Sequence, residues 1–178
     1  MGVKLGFSGT GWIAKIHARM AQGLPGVELA AVANYRPDSM QAFAAEFGIP
    51  RQYATVEAML AGGGIDGLVV CTPNYLHAPQ TLAALEAGVP VMVEKPMAMS
   101  AGEAETMLEA AGRSGAHLMV AHCWRFHDEV RWLREQVGAG RLGQIIRTKS
   151  CGVHSNFGPA GWFTQQKLAG GGAMADMG

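Results

Sequence analysis

The chain has 178 residues, of which 49% are hydrophobic and 16% are charged, and its 14 acidic side chains balance its 14 basic ones. This composition excludes disorder caused by excess charge, and a formal net charge of zero gives no general attraction to nucleic acid or anionic membranes. No apolar run approaches the ~18 residues of a membrane span, and the N-terminus lacks the basic-then-apolar pattern of a signal peptide.

Five mainly apolar runs predict buried strands at 3–7, 27–33, 68–71, 89–93 and 118–121. Stretches of helical period lie between them. The residues expected on the inward helix faces are Ile13, Ile16 and Met20; Met40, Phe43 and Phe47; Met59 and Leu60; Leu82 and Leu85; and Met107, Leu108 and Ala111. Because parallel neighbours require crossover connections, this alternation predicts an α/β fold with a doubly wound parallel sheet over residues 1–121.

Several residues mark the expected ends of these helices. Pro37 is suited to a first helical position, and Gly48 to a C-terminal stop. Thr55 is expected to cap a short helix. Ser100 and Glu103 fit a capping box, in which the two side chains satisfy backbone amides at the start of the helix.

The segment after residue 121 has a different pattern. A helix is predicted at 128–137 and a single long strand at 145–154, followed by a loop rich in glycine and aromatic residues. A lone strand has no sheet to join. Residues 122–178 are therefore interpreted as the opening of a second domain whose remainder is absent from the chain.

A glycine-rich turn is expected between the first strand and the first helix, where Gly9, Gly11 and Ala14 fit the pattern G-x-G-x-x-G/A. In a dinucleotide site the first glycine permits a tight turn, and the second lets the backbone approach the pyrophosphate. The small third residue lets helix and strand pack closely, and the helix N-terminus offers amides and a positive dipole to phosphates. Because motif, strand and helix agree, the sequence predicts a dinucleotide-binding turn.

The end of the second predicted strand bears on the choice between NAD and NADP. Asn34 stands where an NAD-preferring site usually offers a carboxylate to the ribose hydroxyls. Arg36 follows two residues later, and its guanidinium is suited to pairing with a 2′-phosphate. These two residues favour NADP as a hypothesis, while the interpretation of Arg36 as an ordinary solvated loop charge stays open.

Two further clusters directly follow predicted strands, at the edge where doubly wound sheets place their chemistry. The residues are Thr72, Pro73, Asn74 and His77 after the third strand, and Glu94, Lys95 and Pro96 after the fourth. Each proline disfavours helical geometry in the residue before it. Thr72 and Lys95 are therefore expected to be extended and to turn into the crevice.

Four segments of the chain, GFSGTGWIA, CTPNYLHA, VEKPMA and LAGGGAMADMG, resemble the glucose–fructose oxidoreductase/inositol dehydrogenase-like (Gfo/Idh/MocA) family of NAD(P)-dependent oxidoreductases. The resemblance runs through the whole chain in order, and E-K-P together with T-P-N-x-x-H is far more specific than the glycines alone. It implies a dinucleotide-binding Rossmann domain at 1–121. It also implies a second, mainly antiparallel α+β domain, incomplete at 122–178, that forms the substrate floor and commonly mediates homo-oligomers.

The resemblance also implies roles for individual residues. The pyrophosphate cradle is matched by Gly9, Thr10, Gly11, Trp12, Ile13 and Ala14, and the stretch lining the nicotinamide half by Thr72, Pro73, Asn74 and His77. Glu94 resembles the residue that contacts the nicotinamide ribose, Lys95 the catalytic lysine, and Asp176 the aspartate that helps to position substrate. In the family a histidine acid/base follows two residues beyond the position of Gly178, so the chain is expected to be C-terminally truncated.

The expected reaction is hydride transfer between a nicotinamide cofactor and a sugar, polyol or related hydroxy compound. Lys95 is suited to stabilising the alkoxide that develops on the substrate oxygen. Asp176 is suited to orienting the substrate or the base. Three alternatives stay open: a cofactor-binding chain with little catalysis, a regulatory sensor of the same fold, and a glycosidase that uses NAD transiently.

The remaining histidines and cysteines are given simpler interpretations. His117, His122, Cys123 and His127 lack the paired spacing of a zinc module, so no metal site is predicted. Cys71, Cys123 and Cys151 are widely spaced and form no C-x-x-C pair, which favours a reduced, cytoplasmic setting.

Overall fold

The computed structural model of the chain describes residues 2–149 and 161–171. Within these residues a single sheet contains six parallel strands, β1 (Val3–Ser8), β2 (Val27–Ala33), β3 (Arg51–Tyr53), β4 (Gly67–Val70), β5 (Val91–Val93) and β6 (Leu118–Val120). Their order across the sheet is β3-β2-β1-β4-β5-β6, so the winding reverses between β1 and β4. The predicted doubly wound parallel sheet is confirmed.

Helices connect the strands and continue beyond the sheet. They are α1 (Trp12–Gln22), α2 (Pro37–Phe47), α3 (Val56–Gly62), α4 (His77–Glu86), α5 (Ala101–Ser114), α6 (Asp128–Gly138) and α7 (Gln166–Ala169). Among the described residues, no helix combines the length and apolarity that crossing a membrane requires.

Two hydrophobic clusters hold the helices against the sheet. Leu68 of β4 packs in one cluster with Met59 of α3 and Leu85 of α4. The next residue, Val69, packs in the other cluster with Phe7 of β1 and with α1 and α2. Because successive side chains of a strand point to opposite faces, the two clusters lie on opposite sides of the sheet.

The structure changes the predicted inward faces of two helices. In α1 the buried positions are three alanines, Ala14, Ala18 and Ala21. The predicted Met20 is 63% exposed, and in α5 Leu108 is 60% exposed although Met107 is fully buried as predicted. Alanine lets a helix approach a sheet closely, so the buried stripe of α1 follows its small residues and not its bulkiest ones.

The structure also contains a strand, β3, that the sequence patterns did not predict. β3 has only three residues, none of them fully buried, and it lies at the edge of the sheet. The guanidinium of Arg51 donates to the carbonyl oxygens of Ala30, Gly63 and Gly64, which ties β3 to β2 and to the end of α3. Such a strand is specified by tertiary contacts and not by an apolar run.

The predicted helix starts are confirmed, with one difference in detail. The Thr55 hydroxyl accepts from the Ala58 N–H at 3.2 Å. The Ser100 hydroxyl accepts from the Glu103 N–H at 3.2 Å, but the Glu103 carboxylate accepts from the Met99 N–H at 2.8 Å. The Glu103 side chain therefore bonds to the backbone of Met99, the residue before the N-cap, and not to the backbone of Ser100 itself.

The segment after the sheet contacts the rest of the chain at few points. The predicted helix at 128–137 is confirmed as α6, and nearly every residue from 122 to 149 is exposed. The predicted strand at 145–154 is wrong over its described part, because residues 145–149 are in no strand, and residues 150–154 lie outside the described residues. A strand requires a paired neighbour, and none faces 145–149 among the described residues. The domain division at residue 121 stays a prediction.

Candidate functional site

The turn between β1 and α1 presses against the turn that follows β4. Gly9 has a φ of 92°, in the left-handed region that favours glycine. A Cβ atom at this position would lie 2.5 Å from the Cys71 carbonyl oxygen and 3.1 Å from the Thr72 nitrogen. Glycine is therefore required here both by backbone conformation and by the close approach of the two turns.

Gly11 occupies a contrasting position at the N-terminus of α1. Its φ is −73°, and a Cβ atom added there would meet no protein atom within 4 Å. No side chain caps α1, and its first turn contains no acidic residue. The positive end of the helix dipole therefore faces open space next to Gly11, which fits the approach of an anionic pyrophosphate.

The other predicted cradle residues surround this helix start. Ala14 is fully buried, Ile13 is half-buried, and the Trp12 side chain is 72% exposed. Thr10 connects the cradle to the end of β2, because its hydroxyl accepts from the Asn34 side-chain amide at 2.9 Å. The structure thus brings these predicted residues together at one edge of the sheet.

The β2–α2 turn places Asn34 and Arg36 beside the cradle. The Asn34 amide nitrogen also lies 2.7 Å from the Ser39 hydroxyl oxygen. Arg36 is exposed, and its guanidinium carbon lies 5.6 Å from the centre of the Tyr35 ring. A groove of about 400 Å³ is lined by residues 35–39, so Arg36 borders an open surface next to the predicted adenosine end.

The turn after β4 is joined to two other segments of the site. The hydroxyls of Ser8 and Thr72 both donate to the Gln80 Oε1 atom, each at 2.9 Å. The Asn74 side chain is buried, and its amide donates to the Ala169 carbonyl oxygen at 2.9 Å. Asn74 therefore holds α7 against the sheet edge, a contact that its sequence position did not indicate.

His77 lies beneath the site and is only 1% exposed. Its Nδ1 atom is 2.7 Å from the Pro96 carbonyl oxygen, and its Nε2 atom is 2.8 Å from the Thr72 carbonyl oxygen. A neutral imidazole has one N–H donor, so it donates to one carbonyl at a time, whereas the imidazolium donates to both. Through these contacts His77 joins the turn after β4 to the turn after β5.

The turn after β5 carries Glu94 and Lys95, and the Lys95–Pro96 peptide is cis. Glu94 is 9% exposed. Its Oε1 atom lies 2.8 Å from His17 Nε2, and its Oε2 atom accepts from the Lys95 backbone N–H at 3.0 Å. His17, on α1, was missed by the sequence reasoning, although its position three residues after Ala14 places it on the flank of the buried face of α1.

Cys71 directly follows β4 and lies in the same region. Burial raises the pKa of its thiol, and the Glu94 carboxylate raises it further. A thiol with a raised pKa is a poor nucleophile at neutral pH. Cys71 is therefore a packing residue and not a reactive group.

The predictions about Asp176 and about metal binding are limited by the range of residues that the structure describes. Asp176, the predicted substrate-positioning residue, lies outside the described residues. Within residues 2–149 and 161–171, no three His, Cys, Asp or Glu side chains lie together in an arrangement that could hold a metal ion.

The glycine turn and the turns after β2, β4 and β5 meet at the carboxyl edge of the sheet, at the reversal of strand order. This is where doubly wound sheets bind dinucleotides, and the chain has the fold of that class of α/β protein. The family model described as "Oxidoreductase family, NAD-binding Rossmann fold" matches residues 3–122. The chain belongs to this family, the Gfo/Idh/MocA oxidoreductases, which confirms the resemblance found in the sequence.

Comparison with known proteins gives relatives that are about twice as long. D-Glucoside 3-dehydrogenase of Escherichia coli is 37% identical over 99% of this chain and 51% of its own length. The WlbA dehydrogenase of Bordetella pertussis, solved with NADH and UDP-GlcNAcA, is 31% identical with a TM-score of 0.75, over 80% of this chain and 44% of that one. Scyllo-inositol dehydrogenase of Lactobacillus casei, solved with NAD(H) and scyllo-inositol, is 25% identical with a TM-score of 0.75, over 80% and 43%. The chain spans about half the length of the curated relatives it matches.

Proposed function

We propose that the chain binds a nicotinamide dinucleotide and forms the cofactor half of an oxidoreductase that acts on a sugar, polyol or related hydroxy compound. The observation that carries this proposal is the uncapped start of α1 beside Gly11, at the same sheet edge as Lys95. The relatives add support, because their names include sugar and inositol dehydrogenases and two solved neighbours contain NAD(H).

The proposed cofactor site consists of three groups of residues. We assign the pyrophosphate to residues 9–14, the adenosine ribose to Asn34 and Arg36, and the nicotinamide half to residues 72–74, His77 and Glu94. These residues differ in their surroundings. Gly11 borders open space, whereas Asn74 and His77 are buried and contribute through hydrogen bonds that fix the turn after β4. When bound, the nicotinamide ring supplies the acceptor or donor of the hydride.

Stabilisation of the charge that develops on the reacting oxygen is assigned to Lys95, with Asp176 orienting the substrate. Lys95 is half-buried, and its backbone N–H is held by the Glu94 carboxylate at 3.0 Å. An ammonium group in a partly desolvated crevice stabilises an alkoxide more strongly than it does in water. We expect Lys95→Met in a full-length protein to lose this stabilisation, and wild-type turnover by that variant would contradict the assignment.

We further propose a preference for NADP. Asn34 carries no charge that would repel a 2′-phosphate, and the exposed guanidinium of Arg36 borders the adjoining groove. Arg36→Ala is expected to weaken NADPH binding about tenfold, the effect of one charge-assisted hydrogen bond, and to leave NADH binding unchanged. Tighter binding of NADH than of NADPH by the wild-type chain would refute the preference.

The remaining assignments concern the whole protein. We propose that residues 122–178 begin a second, mainly antiparallel domain that completes the substrate site and forms a homo-oligomer. Many apolar side chains between residues 124 and 146 are exposed. This exposure supports the proposal that another domain or a second subunit covers them. Free thiols at Cys71 and Cys123 support a reduced, cytoplasmic setting.

Calorimetric titration of the 178-residue chain with NADH and NADPH tests the proposal directly. We expect saturable binding of at least one dinucleotide, and its absence would refute the cofactor site. Incubation of NAD(P) with a panel of sugars and polyols then separates the alternatives. Net reduction of the cofactor supports an oxidoreductase, substrate cleavage without net reduction supports a glycosidase, and binding without turnover supports a cofactor-binding or sensor role.

A further inference from the structure

His17, on α1, forms a hydrogen bond with Glu94 in the turn that carries Lys95. Its Nε2 atom lies 2.8 Å from Glu94 Oε1. The second carboxylate oxygen, Oε2, accepts from the Lys95 backbone N–H at 3.0 Å. The two oxygens of one carboxylate are thus held by two different segments, the first crossover helix and the turn after β5.

The burial of this pair makes its geometry well defined. The side chains of His17 and Glu94 are 23% and 11% exposed. A carboxylate that is largely withdrawn from water needs hydrogen-bond donors, and bonds to a charged acceptor are stronger than neutral ones. The Nε2–H of either the neutral Nε2 tautomer or the imidazolium supplies such a donor.

The position of His17 on α1 connects the two ends of the cofactor site. His17 lies six residues after Gly11, which at the rise of an α-helix corresponds to about 9 Å along the axis. The start of α1 faces the space assigned to the pyrophosphate, and His17 holds the carboxylate beside Lys95. One rigid helix therefore sets the spacing between the phosphate end and the reacting end.

We propose that His17 is a positioning residue for the nicotinamide half of the cofactor, which it acts on through Glu94 and the Lys95 backbone. The inference rests on the proposed dinucleotide function. Removal of His17 releases Oε1 of Glu94, and the carboxylate then loses the orientation in which it meets the nicotinamide ribose. The pyrophosphate and adenosine contacts, which are assigned to the start of α1 and to the β2–α2 turn, are unaffected.

A series of three ligands of increasing length tests this division. ADP carries the pyrophosphate, ADP-ribose adds the second ribose, and NAD(H) or NADP(H) adds the nicotinamide. We expect His17→Ala to leave the ADP affinity within about twofold and to weaken ADP-ribose and dinucleotide binding about tenfold, as for the loss of one hydrogen bond. His17→Gln carries an amide donor near the Nε2 position and is expected to recover most of the affinity.

Arg19→Ala is the matched control, because Arg19 lies on the same helix and also pairs with a glutamate, Glu46, at a distance of 3.2 Å. It is expected to change none of the three affinities, and circular dichroism checks that each variant is folded. Equal loss of all three affinities in His17→Ala, or loss of none, overturns the inference while leaving the dinucleotide function intact. Failure of the wild-type chain to bind any dinucleotide overturns both.

Discussion

Alanine substitutions at Gly9 and Gly11 are expected to separate folding from cofactor binding. Both glycines belong to the same motif, yet their surroundings are opposite. A Cβ at Gly9 meets the Cys71 carbonyl oxygen at 2.5 Å, whereas a Cβ at Gly11 meets no protein atom within 4 Å. The first glycine is therefore required by the protein itself, and the second is required only if a ligand occupies the space.

The cost of Gly9→Ala has two sources. A non-glycine residue at positive φ costs about 1–2 kcal/mol, and forcing a methyl group into a packed contact costs roughly 1–3 kcal/mol. The free energy of unfolding should therefore fall by about 2–5 kcal/mol. For a chain of this size this is a decrease in Tm of roughly 5–20 °C.

Gly11→Ala should leave stability nearly unchanged. Its φ of −73° suits alanine. The weaker N-cap propensity of alanine and its lower unfolded-state entropy oppose each other, and each effect is within about 1 kcal/mol. The added methyl group occupies the space assigned to the pyrophosphate, so NADH and NADPH affinity should fall at least about tenfold, the effect of losing one or more hydrogen bonds to the phosphates.

Thermal unfolding followed by circular dichroism and calorimetric titration with NADH and NADPH measure the two effects. The expected result is a large loss of Tm for Gly9→Ala only, and a folded but weakly binding Gly11→Ala. Unchanged dinucleotide affinity in Gly11→Ala would refute the assignment of the pyrophosphate to the start of α1. An unchanged Tm in Gly9→Ala would refute the close approach of the two turns.

Three further predictions concern contacts around the site. His77→Ala removes the hydrogen bonding of the imidazole to the Thr72 and Pro96 carbonyl oxygens and leaves a cavity at a buried position, so chemical denaturation should show a loss of about 2–5 kcal/mol in the free energy of unfolding; a loss under 1 kcal/mol would contradict the role of His77 in joining the two turns. Asn74→Ala removes the donor to the Ala169 carbonyl oxygen, so amide hydrogen exchange should accelerate in α7 while exchange in β1 stays unchanged. The Lys15 ammonium, through a hydrogen bond, lowers the pKa of Glu46 below its usual 4.5. The stability from this pair is therefore present above pH ~4.5 and lost as pH falls through the lower folded pKa, and an NMR titration should show the Glu46 pKa rising in Lys15→Ala.

The sequence patterns predicted those elements whose local signals agree with their tertiary environment. β4 and the C-terminal parts of β1 and β2 form strands in which successive residues, and therefore both faces, are buried. Thr55 and Ser100 cap helices through bonds to residues three positions away. β3 has no such signal, since it depends on the guanidinium of Arg51 reaching three distant carbonyl groups. The buried alanines of α1 were also missed, because hydrophobic size alone does not show which side of a helix approaches a sheet most closely.

The same distinction applies to the candidate site. Gly9, Gly11 and Ala14 were predicted because the requirements of a strand–turn–helix connection lie within six residues. The contact between His17 and Glu94 joins residues that are 77 positions apart, and no local period connects them. Such contacts become visible only when the register of the parallel strands places the ends of β1, β4 and β5 side by side.

The side-chain contacts among the turns explain how a site built from separate loops becomes ordered. Gln80 joins Ser8 to Thr72, and His77 joins the turn after β4 to the turn after β5. Glu94 joins that last turn to α1. Because these bonds form within the chain, the entropy cost of ordering the turns is met by folding, and the binding energy of a dinucleotide is not spent on it. A substitution that breaks one of these bonds should therefore lower cofactor affinity even where the altered side chain does not touch the cofactor.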